Sequence, residues 1–69
     1  MMRAREITPA IESEAVEMFG AGCVQYCLDS VAKGSGDLTR RVDATREQFE
    51  RHGQRKYARC IDFVFYGIG

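Results

Sequence analysis

The segment from Thr8 to Gly34 constrains this chain more than any other. Thr8 suits an N-cap, because its hydroxyl can accept from the backbone N–H groups that open a helix. Pro9 suits the first helical position, where a missing N–H costs nothing. Glu12, Glu14 and Glu17 then lie near the positive end of the helix dipole and Lys33 near the negative end. Gly34 is the residue type that most readily takes the left-handed conformation closing a helix. Between these signals Ile11, Ala15, Val16, Met18, Phe19, Cys23, Tyr26, Cys27 and Val31 recur at three- and four-residue spacing. That spacing predicts one long helix over residues 9–33.

Gly20-Ala21-Gly22 is the soft point of this helix, since each interior glycine costs roughly 1 kcal/mol relative to alanine. The apolar period runs through the glycines, so a continuous helix with a close backbone contact there is expected, and a break or kink is the other outcome. The same three residues are no phosphate loop. The third glycine of a dinucleotide fingerprint is replaced by Gln25, and no strand precedes them.

Lys33-Gly34-Ser35-Gly36 reads as a turn, after which Asp37 can cap a second helix starting at about residue 38; Asp43 is a later possible start. Leu38, Val42, Phe49, Cys60 and Val64 then share a face. Arg46–Glu50 and Glu47–Arg51 are i,i+4 pairs that each support helix by about 0.2–0.5 kcal/mol. The second helix therefore runs from about 38–43 to 59 or beyond, with a possible stop at His52-Gly53. The run Ile61-Asp62-Phe63-Val64-Phe65-Tyr66 is rich in β-branched and aromatic residues, which keeps a strand over 57–66 open as the α+β alternative.

These elements describe one small, mainly α domain spanning residues 1–69. A helical hairpin of this length has too little core of its own, so completion as a homodimer is expected. The most apolar stretch, Ala15 to Leu28, contains Glu17 and Gln25 and is shorter than the ~20 residues a membrane span needs. An odd number of cysteines, three, fits a reducing compartment better than a disulfide scaffold, so the expected location is cytoplasmic, with no membrane partner.

Cys23 and Cys27 are four apart on one helix, where Cβ atoms stand about 5–6 Å apart, too far for a disulfide. Zinc accepts Cys3His sets, and a hairpin would bring Cys60 and His52 within reach. His52 and Cys60 are eight residues apart, however, unlike the close pairs usual for zinc. Burial of the cysteines as small apolar side chains is favoured, with no metal and no cofactor expected. A single histidine with no visible orienting partner gives no catalytic constellation, and no enzymatic activity is expected.

Arg40, Arg51, Arg55 and Arg59 fall on one helical face, with Tyr57 nearby. The chain as a whole carries net charge +0, and Asp43, Glu47 and Glu50 adjoin that face. A dedicated nucleic-acid binder usually shows a basic excess, so a solvated or protein-binding face ranks above a phosphate-binding one. Phe63, Phe65 and Tyr66 beside these arginines have the composition of a protein interface. The functional expectation is a small non-enzymatic interaction protein. It would be a regulator, or an inhibitor encoded by a phage or mobile element, that blocks a larger complex such as a nucleic-acid-handling one. The residues expected to bind the partner are Arg40, Arg51, Arg55, Arg59, Tyr57, Phe63, Phe65 and Tyr66. Nucleic-acid binding through the arginine-rich second helix is the alternative.

Overall fold

Thr8 begins the first helix as its chemistry demands. Its Oγ1 accepts from the Ile11 N–H at 3.2 Å and Pro9 occupies the first turn, giving helix α1 (Pro9–Phe19). The computed structural model describes residues 2–68; Met1 and Gly69 lie outside the described residues. Three further helices follow: α2 (Ala21–Ala32), α3 (Leu38–Arg51) and α4 (Arg55–Tyr66). The chain is mainly α, and no strand forms among the described residues, 57–66 included.

The long helix expected over 9–33 is two helices. Gly20 has φ 92° and ψ 148°, a conformation essentially confined to glycine. Its N–H still donates to the Val16 carbonyl at 2.8 Å, and its own carbonyl accepts from Val24 at 3.1 Å. One residue thus ends α1 and caps α2, and the axis turns while the apolar spacing continues. Gly22, by contrast, lies inside α2 with nothing within 4 Å of where a Cβ would stand. Gly22→Ala is expected to stabilise the fold by roughly 0.5–1 kcal/mol, raising the thermal midpoint by a few degrees in a circular-dichroism melt.

The second helix is also two. Asp37 caps α3 as expected, accepting from the Arg40 N–H at 2.9 Å. The helix ends at Arg51, and Gly53 turns the chain at φ 70° into α4. Asp43 starts no helix; it accepts a hydrogen bond from the Tyr66 hydroxyl instead. The turn after α2 uses Gly36 (φ 97°) as its left-handed residue, not Gly34, and α2 stops at Ala32.

α4 and α2 are the inner helices, each packed on the other three, while α1 and α3 lie outside and do not touch. Residues of all four helices meet in one cluster: Ala15, Val24, Cys27, Val31, Val42, Phe49, Ala58, Cys60, Ile61, Val64 and Phe65 are buried. The homodimer was inferred from a hairpin lacking a core, whereas four helices of one chain enclose this one. Phe49, Tyr57 and Tyr26 stack in tilted pairs between α2, α3 and α4, with centroids 5.2–5.9 Å apart.

The N-terminal arm closes the structure. The Arg5 backbone N–H donates to the Phe65 carbonyl at 2.9 Å. Its guanidinium donates to the carbonyls of Val64 at 3.0 Å and Phe63 at 2.9 Å. The Phe63 carbonyl also accepts from the Gly67 N–H at 3.0 Å, so Arg5 adds to the C-cap there, and its cation meets the negative end of the helix dipole.

Candidate functional sites

Two places on this scaffold gather chemistry: a thiol cluster between α2 and α4, and an exposed face around Asp62.

Cys23 and Cys27 lie one turn apart on α2, and α4 packs Cys60 against them. The three sulfurs lie within 4.8 Å of one another. All three cysteines are free; Cys27 and Cys60 are buried, whereas Cys23 is half-buried at the edge of the cluster. The Cys27 thiol donates to the Tyr57 carbonyl at 3.7 Å. The neighbouring thiols shift one another's ionisation in opposite directions. Hydrogen bonding from Cys27 makes Cys60 the easier thiol to ionise, and the same bond together with burial pushes Cys27 well above the ordinary thiol range. Burial pushes Cys23 up. The Lys56 ammonium acts in the opposite sense on both Cys23 and Cys60, favouring their thiolates. His52 takes no part: it lies at the end of α3, with its ring 3.5 Å from Gln48, in a shallow groove with Tyr26 and Phe49. The structure therefore assembles three of the four residues considered for zinc and separates the fourth.

The arginines do not form one stripe. Arg40 and Arg51 are eleven positions apart on α3, about 16 Å along its axis. The stem of Arg40 lies over the Gly36 turn, which leaves no room there for a Cβ. Arg51 pairs with Glu47 at 2.9 Å on the open surface, worth about 0.3–0.5 kcal/mol. Arg55 is exposed in the first turn of α4. Arg59 lies a turn further on, beside Met18, Phe19, Asp62 and Ile68.

The aromatics also divide. Phe65 is a core residue, only 4% exposed, and so offers nothing to a partner in this conformation. Phe63 is half-buried against Phe19, with ring centroids 6.3 Å apart, and Tyr57 belongs to the inner aromatic stack. Tyr66 remains partly accessible. Burial first, then its hydrogen bond to Asp43, pushes its phenol up to about 12, so it stays a neutral donor at physiological pH.

Arg59 and Tyr66 belong to a surface whose other members the sequence did not single out. Two shallow depressions adjoin there. One is lined by Met18, Phe19, Arg59, Asp62 and Ile68, the other by Met2, Asp43, Arg46, Asp62, Tyr66 and Ile68. Asp62, shared by both, accepts from Arg46 Nε at 2.6 Å, and Arg46 also reaches Glu50 at 3.5 Å. The helical spacing identified Met18 only as part of an apolar stripe. Its exposure, its meeting with Ile68, and the place of Met2 in the adjoining depression are tertiary facts. Comparison with protein-family models, with curated proteins and with solved structures finds no match for this chain.

Proposed function

We propose that this chain is a small non-enzymatic interaction protein that acts by occupying a surface on a larger protein, through the face around Asp62. One observation carries this reading. Among the described residues, the large apolar side chains with half or more of their surface exposed are Met2, Met18, Tyr26 and Ile68; Met18 lines the depression beside Arg59, Met2 the adjoining one beside Tyr66, and Ile68 lines both. Gathered apolar side chains next to arginine and tyrosine are the composition of an interface centre, whereas scattered ones are ordinary surface. Arg59 is exposed and makes no ion pair among the described residues, while the neighbouring Arg46 and Asp62 satisfy each other. The partner this chemistry fits presents an apolar or aromatic anchor with a carboxylate beside it for Arg59. Neutral chains of this size with such a face suit a regulator or a phage- or mobile-element-encoded inhibitor of a larger complex, working in the cytoplasm.

Capture of partners by the tagged protein, with and without nuclease, tests the assignment when run beside two pairs of variants. Met18→Asp and Arg59→Glu are each expected to weaken the captured protein's affinity about 30-fold or more, with helicity unchanged. Arg51→Glu and Arg55→Glu, outside the face, should change it less than threefold. Loss confined to the second pair would move the interface to the turn between α3 and α4. Recovery only of nucleic acid, lost on nuclease treatment and falling steeply with salt, would replace the reading with phosphate binding. A homodimer through this same face is the second reading; it predicts concentration-dependent sedimentation that Met18→Asp abolishes.

A further inference from the structure

We propose that Cys23, Cys27 and Cys60 form a tris-thiolate site for a thiophilic divalent d10 cation, with zinc as its natural probe, joining α2 to α4. This inference is independent of the interaction face, which lies outside the thiol cluster. Geometry carries it. Zinc–sulfur bonds of about 2.3 Å place the sulfurs of a tetrahedral site about 3.8 Å apart. The three sulfurs here stand within 4.8 Å of one another, so each pair needs to close by at most about 1 Å. That is within the reach of small χ1 adjustments. A disulfide between α2 and α4 needs its sulfurs at about 2.05 Å, a far larger closure.

The surroundings match the charge of such a site. Three thiolates and a divalent cation leave a net charge of −1. Lys56, one turn before Cys60 on α4, carries the compensating ammonium and acts on both Cys23 and Cys60. Cys23 is in the first turn of α2, whose cap, Gly20, contributes no side-chain hydrogen bond. The N–H groups of that turn therefore remain available to a sulfur-borne charge. A monovalent ion would leave the cluster at −2 with one ammonium against it, so a divalent ion is the better match.

The cluster supplies three ligands, with Cys23 half-buried and Cys27 and Cys60 enclosed, so a tetrahedral ion would take its fourth ligand from outside the three thiols. No histidine is placed to fill it: His52 lies in the groove with Tyr26 and Gln48. A site with three protein ligands keeps its fourth position open to water or another small ligand, in contrast to the closed four-ligand sites that staple a fold. The cation would tie two inner helices together when present and release them to ordinary packing when removed.

The test uses the reduced, metal-free full-length protein titrated with Co(II) under strict exclusion of oxygen. Expected are one equivalent bound, a thiolate-to-cobalt charge-transfer band of three-thiolate intensity, tetrahedral ligand-field absorption, and displacement by one equivalent of Zn(II). Saturating zinc should raise the thermal midpoint by roughly 10 °C or more. Cys23→Ser, at the exposed edge and so least able to disturb the core, is expected to weaken the ion at least 100-fold while the metal-free melt stays within a few degrees of the parent. His52→Ala should change neither band nor affinity. The proposal fails if reduced protein gives no thiolate–cobalt band, if zinc leaves the midpoint unmoved, or if His52→Ala abolishes binding.

Discussion

Replacing Ile61 with alanine is expected to cost about 3 kcal/mol and to lower the thermal midpoint by about 12–24 °C. Ile61 is fully buried and is among the largest side chains enclosed in the core. It sits on α4, which packs against every other helix, so a cavity there removes contacts on several sides at once. The total stability of a chain this short is on the order of 3–10 kcal/mol, so the loss consumes a large share of it. Ile61→Val, which deletes one methylene, should cost only about 1 kcal/mol. Urea unfolding followed by circular dichroism measures both. A loss below 1 kcal/mol for the alanine variant would mean that Ile61 does not occupy the centre of the core.

Gly20→Ala is the second large effect, with an expected loss of about 1–3 kcal/mol. Nothing lies within 4 Å of a Cβ built there, so steric crowding contributes nothing and the whole cost is backbone strain at φ 92°. The variant can relieve that strain only by adopting ordinary helical angles, which would run α1 into α2 as one rod. Ala15 on α1 and Val24, Cys27 and Val31 on α2 could not then all reach the same core. The opposite signs expected for Gly20→Ala and Gly22→Ala, two residues apart, separate conformational strain from simple helix propensity in one urea series. Equal stabilisation by both would show that the chain passes through Gly20 as continuous helix.

The caps were legible because they are local. Thr8, Pro9 and Asp37 act on N–H groups within three residues, and the structure uses each as its chemistry suggests. The i,i+4 pairs Arg46–Glu50 and Glu47–Arg51 likewise form. The break at Gly20 was hidden for a physical reason. A period of 3.6 records spacing along the chain, whereas one left-handed residue changes the direction of the axis without adding or removing a residue. At the other end, the β-branched and aromatic run 61–66 formed helix because its pattern matched a four-sided core; Ile61, Val64 and Phe65 are buried on one side. Tertiary context overrode strand propensity there.

The sites were less legible than the fold. Cys60 is thirty-three residues from Cys27, and only the packing of α4 on α2 brings their sulfurs together. Spacing could say that Cys23 and Cys27 share a face but not what faces them. The arginine stripe came from treating residues 38–59 as one helix. Gly53 turns the chain between Arg51 and Arg55, so the stripe divides, and Arg59 joins Met18 and Phe19 of α1 and Ile68 beyond α4.

The hydrogen bonds of Arg5 have a consequence for how the molecule opens. A single side chain spans from residue 5 to carbonyls 63 and 64, and its backbone N–H holds residue 65. Met2 reaches the face around Asp62 on that arm, and Ile68 reaches it just past the helix end that Arg5 caps, its own N–H held by the Asp62 carbonyl at 3.2 Å. Arm, helix terminus and apolar face therefore form one cooperative unit, able to fray together while the core around Ile61 remains closed. Amide protons of Gly67, Ile68 and Arg5 would exchange as a group. Whatever ligand seats on that face would slow them together, because Met2 and Ile68, on either side of the Arg5 latch, line it.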